Sequence, residues 1–291
     1  MASSSLSGPS LPSRPLVILG AARSGTKLLR RLLGQSADCT VISYPLNTLW
    51  RTGLSPAASD RRTADEGTPR IARNIRSTLR TLAEPSTPYL VEKTCANTLR
   101  VPFVNRVLPD AQFVHILRDG RDVAVSARNA WREGPSFDDA LRKLRTVLAT
   151  DPPSLLWHAR NWWGGRDTPA VWGPRYPSIE RDLREMSLLE VCARQWRSCV
   201  ETCLDDLSSI SDRRIVSIRY EALVSDRTVL DRLVDALELK TPSPVRAYYD
   251  DVVHANSVGR WRRCLSSEEK ERLTRRLRPL LDRLDLERPA T

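Results

Sequence analysis

Gly20-Ala21-Ala22-Arg23-Ser24-Gly25-Thr26-Lys27 gathers two glycines, two cations and two hydroxyls in eight residues, a set suited to holding a phosphate. The apolar run Pro15–Leu19 precedes it, and a helical pattern through Leu28, Leu29, Leu32 and Leu33 follows. A turn between a strand's end and a helix's start aims backbone N–H groups at an anion, and the helix dipole adds to the attraction. The spacing fits G-x-x-x-x-G but continues Thr26-Lys27, the reverse of the Lys-Ser/Thr order of an ATP-binding Walker loop. In that loop the hydroxyl after the lysine holds magnesium, helped by an acid at the end of a later strand. Here Leu28 follows Lys27, and the run Phe113–Leu117 ends in Arg118. Phosphate binding without magnesium is therefore expected, and a P-loop kinase becomes the weaker alternative.

Three further segments carry groups of the same chemistry. In Phe113-Val-His-Ile-Leu-Arg-Asp-Gly-Arg-Asp-Val-Ala-Val-Ser126 an apolar strand runs into a helix, and Ser126 lies eight residues after Arg118. Two helical turns return Ser126 toward the strand's end, where a guanidinium fork and a hydroxyl suit a second phosphate. The competing reading has Arg118 and Asp119 capping the helix. Leu90-Val-Glu92-Lys93-Thr94-Cys95-Ala-Asn97 follows another apolar run and sets the carboxylate of Glu92 beside a cation. Burial would raise the pKa of Glu92 and the adjacent cation would lower it, and a structural ion pair with Lys93 is one role open to it. Ser257-Val-Gly-Arg-Trp-Arg262 combines a glycine with basic and aromatic side chains.

Arg-Ser-Gly-Thr after a first strand, with an Arg and a Ser eight residues apart after a later one, resembles the paired phosphate motifs of the sulfotransferases that use 3′-phosphoadenosine 5′-phosphosulfate (PAPS). The likeness is to the bacterial type, with a Glu-Lys-Thr motif like that of the glycan-directed enzymes. It implies that Arg23 and the backbone of Ser24, Gly25, Thr26 and Lys27 grip the 5′-phosphosulfate. It implies that Arg118 and Ser126 hold the 3′-phosphate, which distinguishes PAPS from other adenine nucleotides. Gly259, Arg260 and Trp261 resemble the family's C-terminal segment that closes over the nucleotide, Trp261 covering adenine or anchoring the loop. Tyr220 resembles a tyrosine near the nucleotide after the fourth strand, and a structural role is equally open to it. Glu92 corresponds to a catalytic glutamate, with Arg23 and Lys27 completing the implied catalytic set. Two positions depart from the pattern. Arg23 stands where many members have lysine, so its role is electrostatic, since a guanidinium does not give up its proton. Cys95 stands where the cytosolic small-molecule enzymes have a histidine base. The implied reaction moves a sulfuryl group from PAPS to a hydroxyl or amine, leaving PAP, with no metal required. The acceptor is a small molecule or a glycan, and sequence selects no class and no oligomeric state. A protein of the same fold that binds PAP without turnover is the remaining alternative.

These groups need a frame. Apolar runs at Pro15–Leu19, Cys39–Ser43, Tyr89–Val91, Phe113–Leu117 and Ile215–Ile218 alternate with helical stretches near Ile71–Ala83, Asp122–Trp131, Ser187–Leu207, Asp226–Leu237 and Ser267–Leu284. Short buried strands alternating with helices imply an α/β fold with a parallel sheet covered on both faces. The family likeness makes this a P-loop-like three-layer domain over residues 15–288. Residues 1–14, rich in Ser and Pro, are expected to be a disordered tail and read as neither a signal peptide nor an apolar anchor. Residues 52–70 read as a mobile connection. Residues 130–186, carrying Trp131, Trp157, Trp162, Trp163 and Trp172, read as a helical lid or acceptor-binding insertion.

Six scattered cysteines form no C-x-x-C pair, so reduced thiols are expected, with Cys192, Cys199 and Cys203 as small buried hydrophobes. The excess of 46 Lys+Arg over 35 Asp+Glu gives a net charge of +11, which favours an anionic ligand. The positive residues are nearly all arginine, which suits phosphate contacts and equally reflects an arginine-rich genome. The charge is spread along the chain and the C-terminal helix alternates signs, so neither nucleic acid nor a membrane is an expected partner. A cytoplasmic enzyme is expected.

Overall fold

The computed structural model describes residues 10–55, 57–134 and 171–285. Trp157, Trp162, Trp163, His158 and most of the N-terminal tail lie outside the described residues.

Five strands form one sheet: β1 (Arg14–Leu19), β2 (Cys39–Val41), β3 (Tyr89–Glu92), β4 (Gln112–Leu117) and β5 (Ile215–Arg219). Their order is β2-β3-β1-β4-β5, and every neighbouring pair is parallel. All five apolar runs are therefore strands. Every residue of β4 is buried, as a parallel strand covered on both faces requires. Successive side chains point to opposite faces. Leu16, Ile18, Val91, Val114 and Ile116 meet the helices Thr26–Leu33, Arg227–Ala236 and Ser243–Val252 on one face. Val17, Leu19, Leu90 and Phe113 meet Pro69–Leu82 and Val101–Val107 on the other. A further apolar cluster joins the helices Gly120–Glu133, Leu188–Leu207 and Ser267–Arg283.

Local chemistry sets the helix starts. Asp119 accepts from the Arg121 N–H at 2.8 Å and Asp226 from the Thr228 N–H at 2.8 Å, each satisfying a donor that the first helical turn leaves over. Ser266 and Glu269 form a capping box at the last helix. His115 sits inside β4, where burial pushes its pKa down to about 4 and keeps the ring neutral. Cys192, Cys199 and Cys203 are buried free thiols, as their helical spacing suggested.

Two expectations change. Residues 52–70 are anchored through Asp60 and Arg62, both buried. Asp60 pairs with Arg51 at 2.6 Å and accepts from the Arg175 N–H at 2.7 Å, while the Arg62 guanidinium lies 3.9 Å from the Phe103 ring. Their Ala, Ser, Pro and Gly content suggested a loose connection because composition does not show ion pairs that close over a distance. The strand preceding Tyr220 is also the fifth among the described residues, where the resemblance put the tyrosine after the fourth. At the edges of the insertion, Trp131 and Trp172 meet with ring centroids 6.2 Å apart and pack into the helical cluster.

The topology fixes where a ligand can sit. From β1 the chain crosses β3 to reach β2, whereas from β4 it moves the other way to β5. Loops leaving adjacent strands in opposite directions open a crevice at their carboxyl ends, here between β1 and β4.

Candidate active site

The loop after β1 enters this crevice. Left-handed backbone at Arg23 (φ 74°) and Gly25 (φ 94°) bends the chain before the helix starts at Thr26. A side chain at position 25 would also bring its Cβ to 2.4 Å from Tyr220 Cδ2, so the loop lies against that ring. The first intrahelical bond runs from the Leu29 N–H to the Gly25 carbonyl, which leaves the N–H groups ahead of it without helical acceptors. Ser24 is 1% exposed, and its Oγ has no hydrogen-bond partner among the described residues. A buried hydroxyl without a partner costs about 1–3 kcal/mol, so a ligand oxygen is its natural complement. Arg23 and Lys27 present exposed side chains beside it.

Arg118, one residue past β4, draws the sequence motifs together. Its Nη1 donates to the Arg23 carbonyl at 3.1 Å and its Nη2 to the Ser257 carbonyl at 2.7 Å, while the guanidinium lies 4.2 Å from the Tyr220 ring centre. Its buried Nε has no partner among the described residues. Arg23 Nε donates to Ser126 Oγ at 2.9 Å. The residues implied for two different phosphates thus touch directly. Tyr220 joins them, its hydroxyl 2.6 Å from Ser257 Oγ. Trp196, which sequence reasoning did not single out, fixes the strand end by donating from Nε1 to the Arg118 carbonyl at 3.1 Å.

The segment Ser257–Trp261 crosses the same region. Gly259 has φ 68°, and its N–H and that of Trp261 donate to the two oxygens of Asp122 at 2.7 and 2.9 Å. Trp261 is 8% exposed and belongs to the helical cluster, with Arg121 stacked 4.4 Å from its ring centre. That burial is the geometry of an anchor, and Arg260 is left exposed.

Glu92 ends β3, is 2% exposed, and accepts from three side chains. Trp50 Nε1 and Thr94 Oγ1 donate to Oε1 at 3.2 and 2.5 Å, and Asn97 Nδ2 donates to Oε2 at 2.9 Å. Arg100 orients Asn97 by donating from Nε to its Oδ1 at 2.8 Å and reaches Asn47 Oδ1 at 2.6 Å and Asp60 at 3.6 Å. Burial raises the Glu92 pKa and outweighs the lowering by Thr94, Trp50, Arg100 and Lys93. Sequence left that sign open because it shows Lys93 but not the depth of burial. Lys93 Nζ turns to Cys95 Sγ at 3.8 Å, and Cys95 lies 3.5 Å from Thr26 Oγ1, tying the glutamate segment to the phosphate loop. Trp50, Asn97 and Arg100 were not singled out from sequence. An Asn and an Arg three residues apart after Glu-Lys-Thr were the available signal. Among the described residues, no group of three or more His, Cys, Asp or Glu side chains is arranged to hold a metal ion. No described helix is long and apolar enough to cross a membrane.

Comparison with known proteins follows from this geometry. The sulfotransferase family model matches residues 15–160. Among solved structures, a sulfotransferase from Alicyclobacillus acidocaldarius is similar at TM-score 0.52 and 18% identity, covering 96% of this chain and 98% of that one. The sulfotransferase domain of the Synechococcus olefin synthase is similar at TM-score 0.51 and 17% identity, covering 92% and 96%. The sulfotransferase domain of the curacin biosynthetic pathway gives TM-score 0.51 and 16% identity, covering 92% and 98%. A search of curated proteins finds no match.

Proposed function

This chain belongs to the sulfotransferase family, and from that premise we propose that its crevice binds PAPS and that Glu92 takes the proton of the acceptor. The observation that carries the reading is the convergence of Arg23, Arg118 and Ser126 on one spot beside the buried, unpartnered Ser24 hydroxyl. The residues fit a ligand with two separate phosphates. Ser24, the N–H groups of Gly25, Thr26 and Lys27, and the cations of Arg23 and Lys27 suit the 5′-phosphosulfate. Arg118, Ser126 and Arg260 suit the 3′-phosphate.

Bound there, PAPS supplies the sulfuryl group and a phosphate oxygen as leaving group. An acceptor hydroxyl or amine forms the new bond to sulfur as the bond from sulfur to the phosphate oxygen breaks, and the acceptor's proton passes to Glu92. A carboxylate offers about four acceptor positions, of which Trp50, Thr94 and Asn97 occupy three, so one on Oε2 remains for that proton. Its raised pKa makes it a stronger base than an exposed glutamate. Arg23 and Lys27 offset the charge that develops on the leaving oxygen. Arg23 does so without giving up a proton, and Lys27 is the group able to donate one. The Tyr220 ring packs against Gly25, and the buried Trp261 anchors the loop that carries Arg260. The acceptor is a small molecule or a glycan bearing a hydroxyl or amine.

The test is transfer of label from PAPS to metabolite extracts by the wild type and by Glu92→Gln. The wild type labels a product, while Glu92→Gln binds PAP with turnover abolished. Normal turnover in that variant would remove Glu92 as the base, and PAP binding without any labelled product in the wild type would favour a binding protein.

A further inference from the structure

We infer that Asp122 is a positioning residue for the nucleotide, latching the segment Ser257–Trp261 across the donor crevice through the N–H groups of Gly259 and Trp261. The inference rests on the donor-site reading and adds a residue that the phosphate motifs do not include. Asp122 is 3% exposed, and both its oxygens are spent on one short turn far away in sequence. Hydrogen bonds to a buried carboxylate are roughly twice as strong as neutral ones. The left-handed Gly259 (φ 68°) turns the chain so that two N–H groups, two residues apart, reach one carboxylate.

The opposite polarity is held from the same stretch. Arg118, four residues before Asp122, donates to the Ser257 carbonyl at 2.7 Å, and Tyr220 meets the Ser257 hydroxyl at 2.6 Å. A cation at the strand end and an anion in the first helical turn therefore grip one loop by its C=O and N–H groups. Asp122 is not the cap of its own helix, because Asp119 already takes the Arg121 N–H, and both Asp122 oxygens turn outward to the distant segment. The segment's other backbone hydrogen bonds are local, among them those from the Val258 N–H to the Ala255 carbonyl and from the Arg262 N–H to the Gly259 carbonyl. Val258 is 38% exposed and His254, Ala255, Asn256 and Arg260 are exposed, so the polar grip and the buried Trp261 carry its position. The latched segment carries the exposed Arg260, the side chain that the donor-site reading assigns to the 3′-phosphate.

Calorimetric titration of the full chain with PAP and with AMP tests this, using wild type, Asp122→Asn, Arg260→Ala and the double variant. The wild type should prefer PAP. Asp122→Asn should lose about ten- to a hundredfold in PAP affinity, as expected for bonds to a charged group, with AMP affinity changed by less than about twofold. Adding Arg260→Ala should then cost little more, because the latch acts through that side chain. Unchanged PAP binding in Asp122→Asn, equal losses for both nucleotides, or fully additive losses would overturn the latch. A wild type indifferent to the 3′-phosphate would instead overturn the donor-site reading, and the latch with it. Should Asp122→Asn fail to fold, hydrogen exchange on the wild type decides. The Gly259 and Trp261 amides should be protected and slow further with PAP, and exchange at unprotected rates would sink the proposal.

Discussion

Glu92 stands between two opposed influences, three donors that favour its charged form and near-complete burial that disfavours it. Burial prevails, so the pKa rises. A base works only when deprotonated, and a raised pKa means that the working form is lost at a higher pH as the solution is acidified. We predict an acid limb in kcat centred above the ordinary glutamate value of about 4.3. A limb in the ordinary carboxylate range would contradict the assignment. The network behind Glu92 makes a second prediction. Arg100 is fully buried, orients Asn97 and faces Asp60, so Arg100→Ala leaves buried acids undercompensated. Removing one partner of such a network costs about 3–5 kcal/mol, measurable by urea unfolding. A loss below about 1 kcal/mol, the level of an exposed ion pair, would show that the network carries little. At this scale the sequence was informative wherever the side chains that meet lie in short runs. Arg23, Arg118 and Ser126 were readable because a loop and a strand-to-helix junction encode them locally. Asp60 and Asp122 were not, because each depends on a partner far away in sequence, and for Arg100 only the spacing to Asn97 was visible, not its reach to Asn47 and Asp60.

The strands were legible because a sheet covered on both faces demands unbroken apolar runs, and all five runs became strands. The longer helices were legible from their apolar period. Val101–Val107 and Tyr220–Ser225 were not, since about two turns hold too few residues to display a period and depend on the core for stability, and Ser243–Val252, as long as the legible Arg227–Ala236, was not because it buries only Val245 and Tyr249. The phosphate loop shows how an element constrains a residue. Gly25 combines φ 94° with a Cβ position only 2.4 Å from Tyr220. Gly25→Ala must therefore strain the backbone and push the loop off the ring. Left-handed backbone alone costs about 1–2 kcal/mol for a residue with a Cβ. We expect a drop in melting temperature and a loss of PAP affinity of about tenfold, since about 1.4 kcal/mol is a factor of ten in affinity. Unaltered PAP affinity in Gly25→Ala would show that the loop does not touch the nucleotide.

Across the whole molecule, the strand order β2-β3-β1-β4-β5 sends the loops after β1 and β4 in opposite directions and opens a crevice where Arg23, Arg118, Ser126 and Tyr220 meet. The +11 charge agrees with an anionic co-substrate but does not choose it. The choice comes from Arg118, Ser126 and Arg23 meeting at one place, a pattern suited to a nucleotide with a 3′-phosphate as well as a 5′ group. Thermal unfolding with PAP and with AMP at equal concentration, in a chelator that removes magnesium, tests this most directly. A ligand at a hundred times its Kd adds about 2.7 kcal/mol of stability. PAP should raise the melting temperature by several degrees and AMP by much less, whereas equal shifts, or a PAP shift that needs magnesium, would contradict the account.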